Sequence, residues 1–369
     1  MKRYLQDQVE HDLKHKMVFV GGARQTGKTT LAQALISQKS DYLNWDIAEH
    51  KEKILKRELP QTKRLVFDEI HKYRSWRNYL KGLYDLRKDD LELLVTGSAR
   101  LDFYRFGGDS LQGRYHYLRL YPLSAAELKI NNLKELSELL HLGGFPEPFL
   151  SQSSIQSKRW SREYRTRLIR EDILSLESVH DVGNLELLMI SLPERVGSPL
   201  SIHKLSQLIQ VNFKTISKWI QILERLYAIF RVPPFVTSKI RAVRKEQKHY
   251  HLDWTLLPDP ALRFENMVAV HLLKWCHYQN DALGRDVELR YFRDVDGREV
   301  DFVLLDGKNP ELMVECKWSD SALSPSLRYL KTRFPQCPAW QVSMQGIKDY
   351  QSPEGIRISP VMNLLRDLI

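Results

Sequence analysis

Short apolar runs alternate with amphipathic stretches over the first third of the chain. The runs at 17–20, 41–45, 64–68, 91–96 and 115–120 have the length and apolar density of strands. Between them, helical spacing of apolar positions predicts helices over 28–38, 49–58 and 75–87. This alternation predicts a parallel sheet with helices on both faces and a ligand at the carboxyl ends of its strands. Residues 1–16 are polar and charged, a short helix ahead of the first strand.

The pattern then becomes helical. Ser124 and Glu127 form a capping box that predicts a helix start. A turn-rich break at 143–148 precedes a long helix over 154–178 carrying Lys158, Arg159, Arg162, Arg165, Arg167 and Arg170. That basic run reads as a solvated face or as a phosphate-contacting surface. Two further helices follow within 199–234. The first, from about Ser201, buries Leu205, Leu208 and Ile209. The second buries Ile216, Trp219, Ile220, Leu223 and Leu226 and turns Lys214, Thr215, Ser217 and Lys218 outward. This is winged-helix-like, and both a DNA-reading role and a purely packing role fit it. The basic stretch 239–245 reads as a linker or a wing.

Past residue 258 a helix over 262–275 leads into a meander. Strands are predicted at 288–292, 299–305 and 311–317, with turns at Asp296-Gly297 and over 306–310, and another strand at 339–343. The expected organisation is a parallel-sheet α/β core at 1–130, a helical connector at 131–198, a winged-helix-like unit at 199–238 and an α/β domain at 239–369.

Composition narrows the class. The chain has 369 residues, room for two or three cores, with 43% hydrophobic and 28% charged residues, as in ordinary globular proteins. A net charge of +10 favours an acidic partner such as nucleic acid without requiring one. Three cysteines, with no CxxC pair, argue against a disulfide framework and for a reducing cytoplasm. No apolar stretch approaches membrane-spanning length, so no membrane partner is expected.

The chemistry concentrates in two places. Residues 21–30, GGARQTGKTT, follow a strand and open a helix, the setting of a nucleoside-triphosphate P-loop. Gly22, Ala23, Arg24, Gln25, Thr26, Gly27 and Thr30 cradle phosphates, Lys28 reaches the β/γ oxygens, and the Thr29 hydroxyl ligates Mg²⁺. Forty residues on, the strand 63–67 ends in Asp68 and Glu69, a metal partner and a residue to orient or deprotonate the attacking water. A third strand ends in Thr96-Gly97-Ser98, near the γ-phosphate if it neighbours the other two. Arg114 reads equally as an arginine finger, in its own or a neighbouring subunit, and as a surface arginine; Arg100 is a weaker candidate.

The second place is Asp301 with Glu315-Cys316-Lys317. Side chains repeat every two residues along a strand, so Glu315 and Lys317 share a face that a neighbouring strand lets Asp301 join. Asp301 and Glu315 can then hold Mg²⁺ while Lys317 activates water or steadies phosphorane charge. Glu265 and Gln341 are candidates for the same face. Solvated cross-strand ion pairs are the competing reading.

These motifs together resemble a family of bacterial and archaeal AAA-type ATPases with a winged-helix-like middle and a C-terminal domain related to restriction-endonuclease-like folds. The carriers are residues 22–29, Phe67-Asp68-Glu69, Thr96-Gly97-Ser98, Gly113-Arg114, Pro122-Leu123-Ser124, residues 143–146, residues 299–302 and residues 315–317. The resemblance implies ATP and Mg²⁺ at Lys28, Thr29 and Asp68, with Glu69 as catalytic base. It leaves two partner classes open: DNA, or protein partners and self-association with an inert nuclease-like domain.

Overall fold

The computed structural model describes residues 1–97, 111–173, 181–235 and 246–369. It divides into two compact units, Met1–Pro122 and Leu123–Ile369.

The first unit opens with helix α1 (Gln6–Asp12) and strand β1 (Met17–Gly21). Helix α2 (Lys28–Gln33), strand β2 (Tyr42–Asn44), helix α3 (Ala48–Lys56), strand β3 (Arg64–Asp68), helix α4 (Trp76–Arg87), and strands β4 (Glu92–Thr96) and β5 (Tyr115–Arg119) follow. The strands form one parallel sheet in the order β2-β3-β4-β1-β5. β1 and β4 are buried throughout and β3 in all but its first residue, with apolar centres, as a parallel sheet covered on both faces requires. Met17, Phe19, Leu65, Phe67, Leu93 and Val95 point into one core with Trp76 and Leu80 of α4. Helix α2 is shorter than the expected 28–38. Its last turn tightens through a Leu35 N–H to Ala32 carbonyl bond, and Arg64 donates to the Leu35 carbonyl at 2.8 Å, so the helix ends there.

The second unit starts with the capping-box bonds between Ser124 and Glu127, but only a turn follows them before Ile130. Helices α5 (Leu133–Leu142), α6 (Pro146–Leu150) and α7 (Ser154–Arg167) come next. α7 is the basic helix: Lys158, Arg159, Arg162 and Arg167 are exposed, while Trp160 and Tyr164 stack inward at 4.9 Å. It gives way to a π-helical turn at Leu168–Ile173, so the uniform helix expected to 178 is not formed over the described residues. Helices α8 (Val182–Ser191), α9 (Ile202–Ile209) and α10 (Phe213–Arg225) lead into an antiparallel pair, β6 (Ile229–Val232) with β7 (Lys248–His251). Residues 239–245 lie outside the described residues.

Helix α11 (Pro260–Leu283) then precedes strands β8 (Val287–Arg293), β9 (Glu299–Asp306) and β10 (Asn309–Lys317). Helix α12 (Pro325–Arg333), strands β11 (Ala339–Ser343), β12 (Tyr350–Gln351) and β13 (Ile356–Pro360), and helix α13 (Val361–Leu365) complete the chain. The mixed sheet runs β12-β13-β11-β10-β9-β8. The turn expected over 306–310 closes at Gly307. Asn309 and Pro310 already belong to β10, where a register shift absorbs the proline.

Candidate functional site

β1 delivers the P-loop at the carboxyl end of the sheet. Gly22 takes φ +128°, and a Cβ there would lie 2.4 Å from the Leu120 carbonyl, so only glycine fits. Gly27 caps α2 in the left-handed conformation. Lys28 is buried and donates to the carbonyls of Gly22 at 3.1 Å and Ala23 at 2.5 Å, while the Thr26 hydroxyl donates to Ala23 at 3.0 Å. Arg24 and Gln25 are half-buried in the same loop, and Thr30 is exposed on α2.

Asp68 is buried at the end of β3 and accepts three hydroxyl bonds: from Thr29 at 2.8 Å, Thr96 at 2.7 Å and Tyr42 at 2.5 Å. Thr29 and Asp68, each expected at a metal, are here in direct contact, and Thr96 stands beside them. Tyr42 was not anticipated: β2 pairs with β3, Tyr42 opposite Val66, and its phenol reaches over to the carboxylate. Burial first, then the hydrogen bond to Asp68, push the Tyr42 phenol far above its ordinary range, which keeps its proton. Hydroxyl and carboxylate oxygens are the hard donors Mg²⁺ takes, so this donor set fits the ion. Glu69 follows in the left-handed region at φ +56°, a conformation rare outside glycine and asparagine, and pairs with Lys72 at 3.3 Å.

Ser98 and Arg100 lie outside the described residues. Of the two readings of Arg114, its position in this chain is that of a surface arginine. Its carbonyl bonds the Met17 amide at the amino end of β1, whereas the P-loop leaves the carboxyl end, about 13 Å away along a five-residue strand. The guanidinium pairs with Asp85 at 2.8 Å. A same-chain finger is thus ruled out by strand polarity.

In the second unit the sheet assembles the other candidates. Val314 lies opposite Phe302, which makes Asp301 and Glu315 cross-strand neighbours, and Glu315 lies beside Gln341. Lys317 donates to Glu315 Oε1 at 2.7 Å, and Asp301 accepts the Cys316 amide at 2.8 Å. Gln341 turns to Ser324 and Ala322. Glu265 of α11 accepts the Tyr250 hydroxyl at 2.7 Å. Burial, then the Asp301 charge, raise both Glu265 and Glu315 to about 7; burial also raises Asp301.

One residue unforeseen from the sequence sits among them. Lys248 of β7, 1% exposed, pairs with Glu299 at 2.6 Å and approaches Glu265 and Asp301 at 3.9 Å each. Among the described residues no three acidic, histidine or cysteine side chains are grouped to hold a metal. Nor is any helix there long and apolar enough to cross a membrane.

Three family models match successive parts of the chain. Residues 14–129 match the family model of an AAA domain, residues 133–265 a domain of unknown function (DUF8612), and residues 263–364 a domain of unknown function (DUF4143). The chain is 24% identical over 344 residues to the uncharacterized protein MJ1544 of Methanocaldococcus jannaschii, covering 82% of this chain and 75% of that one. Among solved structures it is similar to the Aeropyrum pernix ORC1 protein in complex with DNA, at 14% identity and a TM-score of 0.34, over 73% of this chain and 93% of that one. It is also similar to a DNA polymerase III gamma subunit-related protein of Thermotoga maritima, at 13% identity and a TM-score of 0.26, over 60% and 81%. The amino-terminal unit is an AAA-type, ATPase-like domain, and a mixed-sheet domain closes the chain.

Proposed function

We propose that the protein is a Mg²⁺-dependent ATPase whose turnover drives a conformational change acting on DNA. The observation that carries this is the convergence of Lys28, Thr29, Asp68 and Thr96 at the carboxyl end of one parallel sheet, with Glu69 next in the chain. The P-loop residues 22–30 bind the triphosphate, and Lys28 trades its two carbonyl partners for β/γ oxygens. Thr29 and Asp68 would hold Mg²⁺, which when bound neutralises charge on the transferred phosphoryl group. Glu69 orients and deprotonates the attacking water, and Thr96 fixes the carboxylate of Asp68. Ser98 belongs to this reading as a γ-phosphate contact, and Arg114 as a finger offered to a neighbouring subunit.

The DNA contact is assigned to α9 and α10, whose exposed side carries Lys214 and Lys218. Asp301, Glu315 and Lys317 are read as the remains or the resting form of a nuclease site. Lys248 in their midst favours the second reading, a nucleotide-dependent switch whose C-terminal domain does not cut.

ATP turnover with and without DNA tests the proposal. Glu69→Gln is expected to lower turnover about a hundredfold while ATP still binds. Turnover that survives in both Lys28→Ala and Glu69→Gln would remove the ATPase assignment.

A further inference from the structure

β7 is the element that reaches the carboxylate site from outside the mixed sheet. Its residues alternate: His249 turns away to the Leu192 carbonyl, whereas Lys248 and Tyr250 both point at the carboxylates. Lys248 has its ammonium group 2.6 Å from Glu299, 3.9 Å from Glu265, 3.9 Å from Asp301, and over the Tyr291 ring at 5.4 Å. A buried ammonium so placed supplies the positive charge that a divalent cation would otherwise bring to Glu265 and Asp301. The loop before α9 closes in as well: a Cβ on Gly197 would meet Glu265 Oε1 at 3.2 Å. A second observation comes from Glu315, 6% exposed, whose Oε2 is buried without a hydrogen-bond partner beside Asp301. It is an oxygen suited to a cation that the present arrangement leaves unused.

We propose that Lys248 is a tethered counter-cation that holds the Asp301–Glu315 site closed to divalent metal. The inference rests on reading that cluster as metal-adapted. It further assigns control of the site to the β6/β7 pair, because any displacement of β7 withdraws the ammonium from Glu265, Glu299 and Asp301. A divalent ion held by Asp301 would sit beside this buried ammonium and be repelled by it.

Mn²⁺ binding by calorimetry on the full chain, with thermal unfolding against Mn²⁺ concentration, tests this without any cleavage readout. Wild type is expected to show no Mn²⁺-dependent stabilisation attributable to Asp301. Lys248→Met is expected to bind Mn²⁺ at least about tenfold more tightly than wild type, and Lys248→Met with Asp301→Asn to lose that gain. Lys248→Gln, which keeps a donor for Glu299 but no charge, serves where the methionine variant does not fold. If wild type already binds Mn²⁺ as tightly as the folded Lys248 variants, and Asp301→Asn abolishes it, the lysine is no barrier and the proposal fails, while the metal-site reading survives. If no folded variant binds Mn²⁺, the proposal and the metal-site reading fall together. Should neither Lys248 variant fold, the wild-type titration decides: stabilisation by Mn²⁺ that Asp301→Asn removes overturns the proposal, and a flat response supports it.

Discussion

Asp68 shows how much a single carboxylate can organise. Three hydroxyls, from Thr29, Thr96 and Tyr42, converge on it from three different elements. Thr29 and Thr96 sit in motifs and are easily found in a sequence; Tyr42 is not, because only the pairing of β2 with β3 brings it there. Its raised pKa keeps the phenol protonated, so it donates to the carboxylate. Tyr42→Phe should therefore leave ATP affinity within about twofold and lower turnover several-fold, the loss of roughly one charge-assisted hydrogen bond. A fall in affinity equal to the fall in rate would instead place the phenol in nucleotide binding.

Local signals carried far at the scale of elements, and topology set their limit. The strand-loop-helix at 17–33 was legible because each piece is encoded in adjacent residues. The ends were less so: α2 stops where Arg64, 29 residues away in sequence, captures the Leu35 carbonyl. Arg114 stayed open between two readings because polarity within a sheet is invisible until strand order is known. Lys248 escaped notice for the same reason, since nothing near it in sequence announces the carboxylates it meets. Helix α11 gives a test of such buried contacts. His271 Nε2 accepts the Ala125 amide at 3.1 Å and Nδ1 lies 2.8 Å from the Met267 carbonyl, so the ring fits only when neutral. Burial depresses its pKa to about 4. Unfolded histidine protonates near 6.5, so this contribution is complete above pH 6.5 and is lost as pH falls towards 4. Glu265 and Glu315, raised to about 7, act oppositely, their contribution fading as pH rises from the ordinary carboxylate range to 7. The wild-type profile sums both trends, which makes the comparison with a variant the informative one. The cost of His271→Gln in urea unfolding should be about 2 kcal/mol smaller at pH 5 than at pH 7.5. An equal cost at both values would mean the imidazole does not resist protonation.

A net charge of +10, an exposed basic helix face and the proposed nucleotide site together make a thermodynamic demand of the whole molecule. If ATP binding changes the conformation that DNA sees, then DNA must change the affinity for ATP by the same factor, because the coupling free energy belongs to both ligands. Phosphate contacts through Lys214 and Lys218 would also give DNA affinity a steep salt dependence, each contact adding about 0.9 to the logarithmic slope. The expectation is thus threefold and mutually constrained. A non-hydrolysable ATP analogue shifts DNA affinity by some factor, and DNA shifts analogue affinity by that same factor. Lys214→Ala with Lys218→Ala lowers the salt slope by about two while leaving analogue affinity without DNA unchanged. Fluorescence anisotropy read from both sides measures all three. Equal DNA affinity with and without the analogue would uncouple the two sites and leave a nucleotide switch that speaks to a protein partner instead.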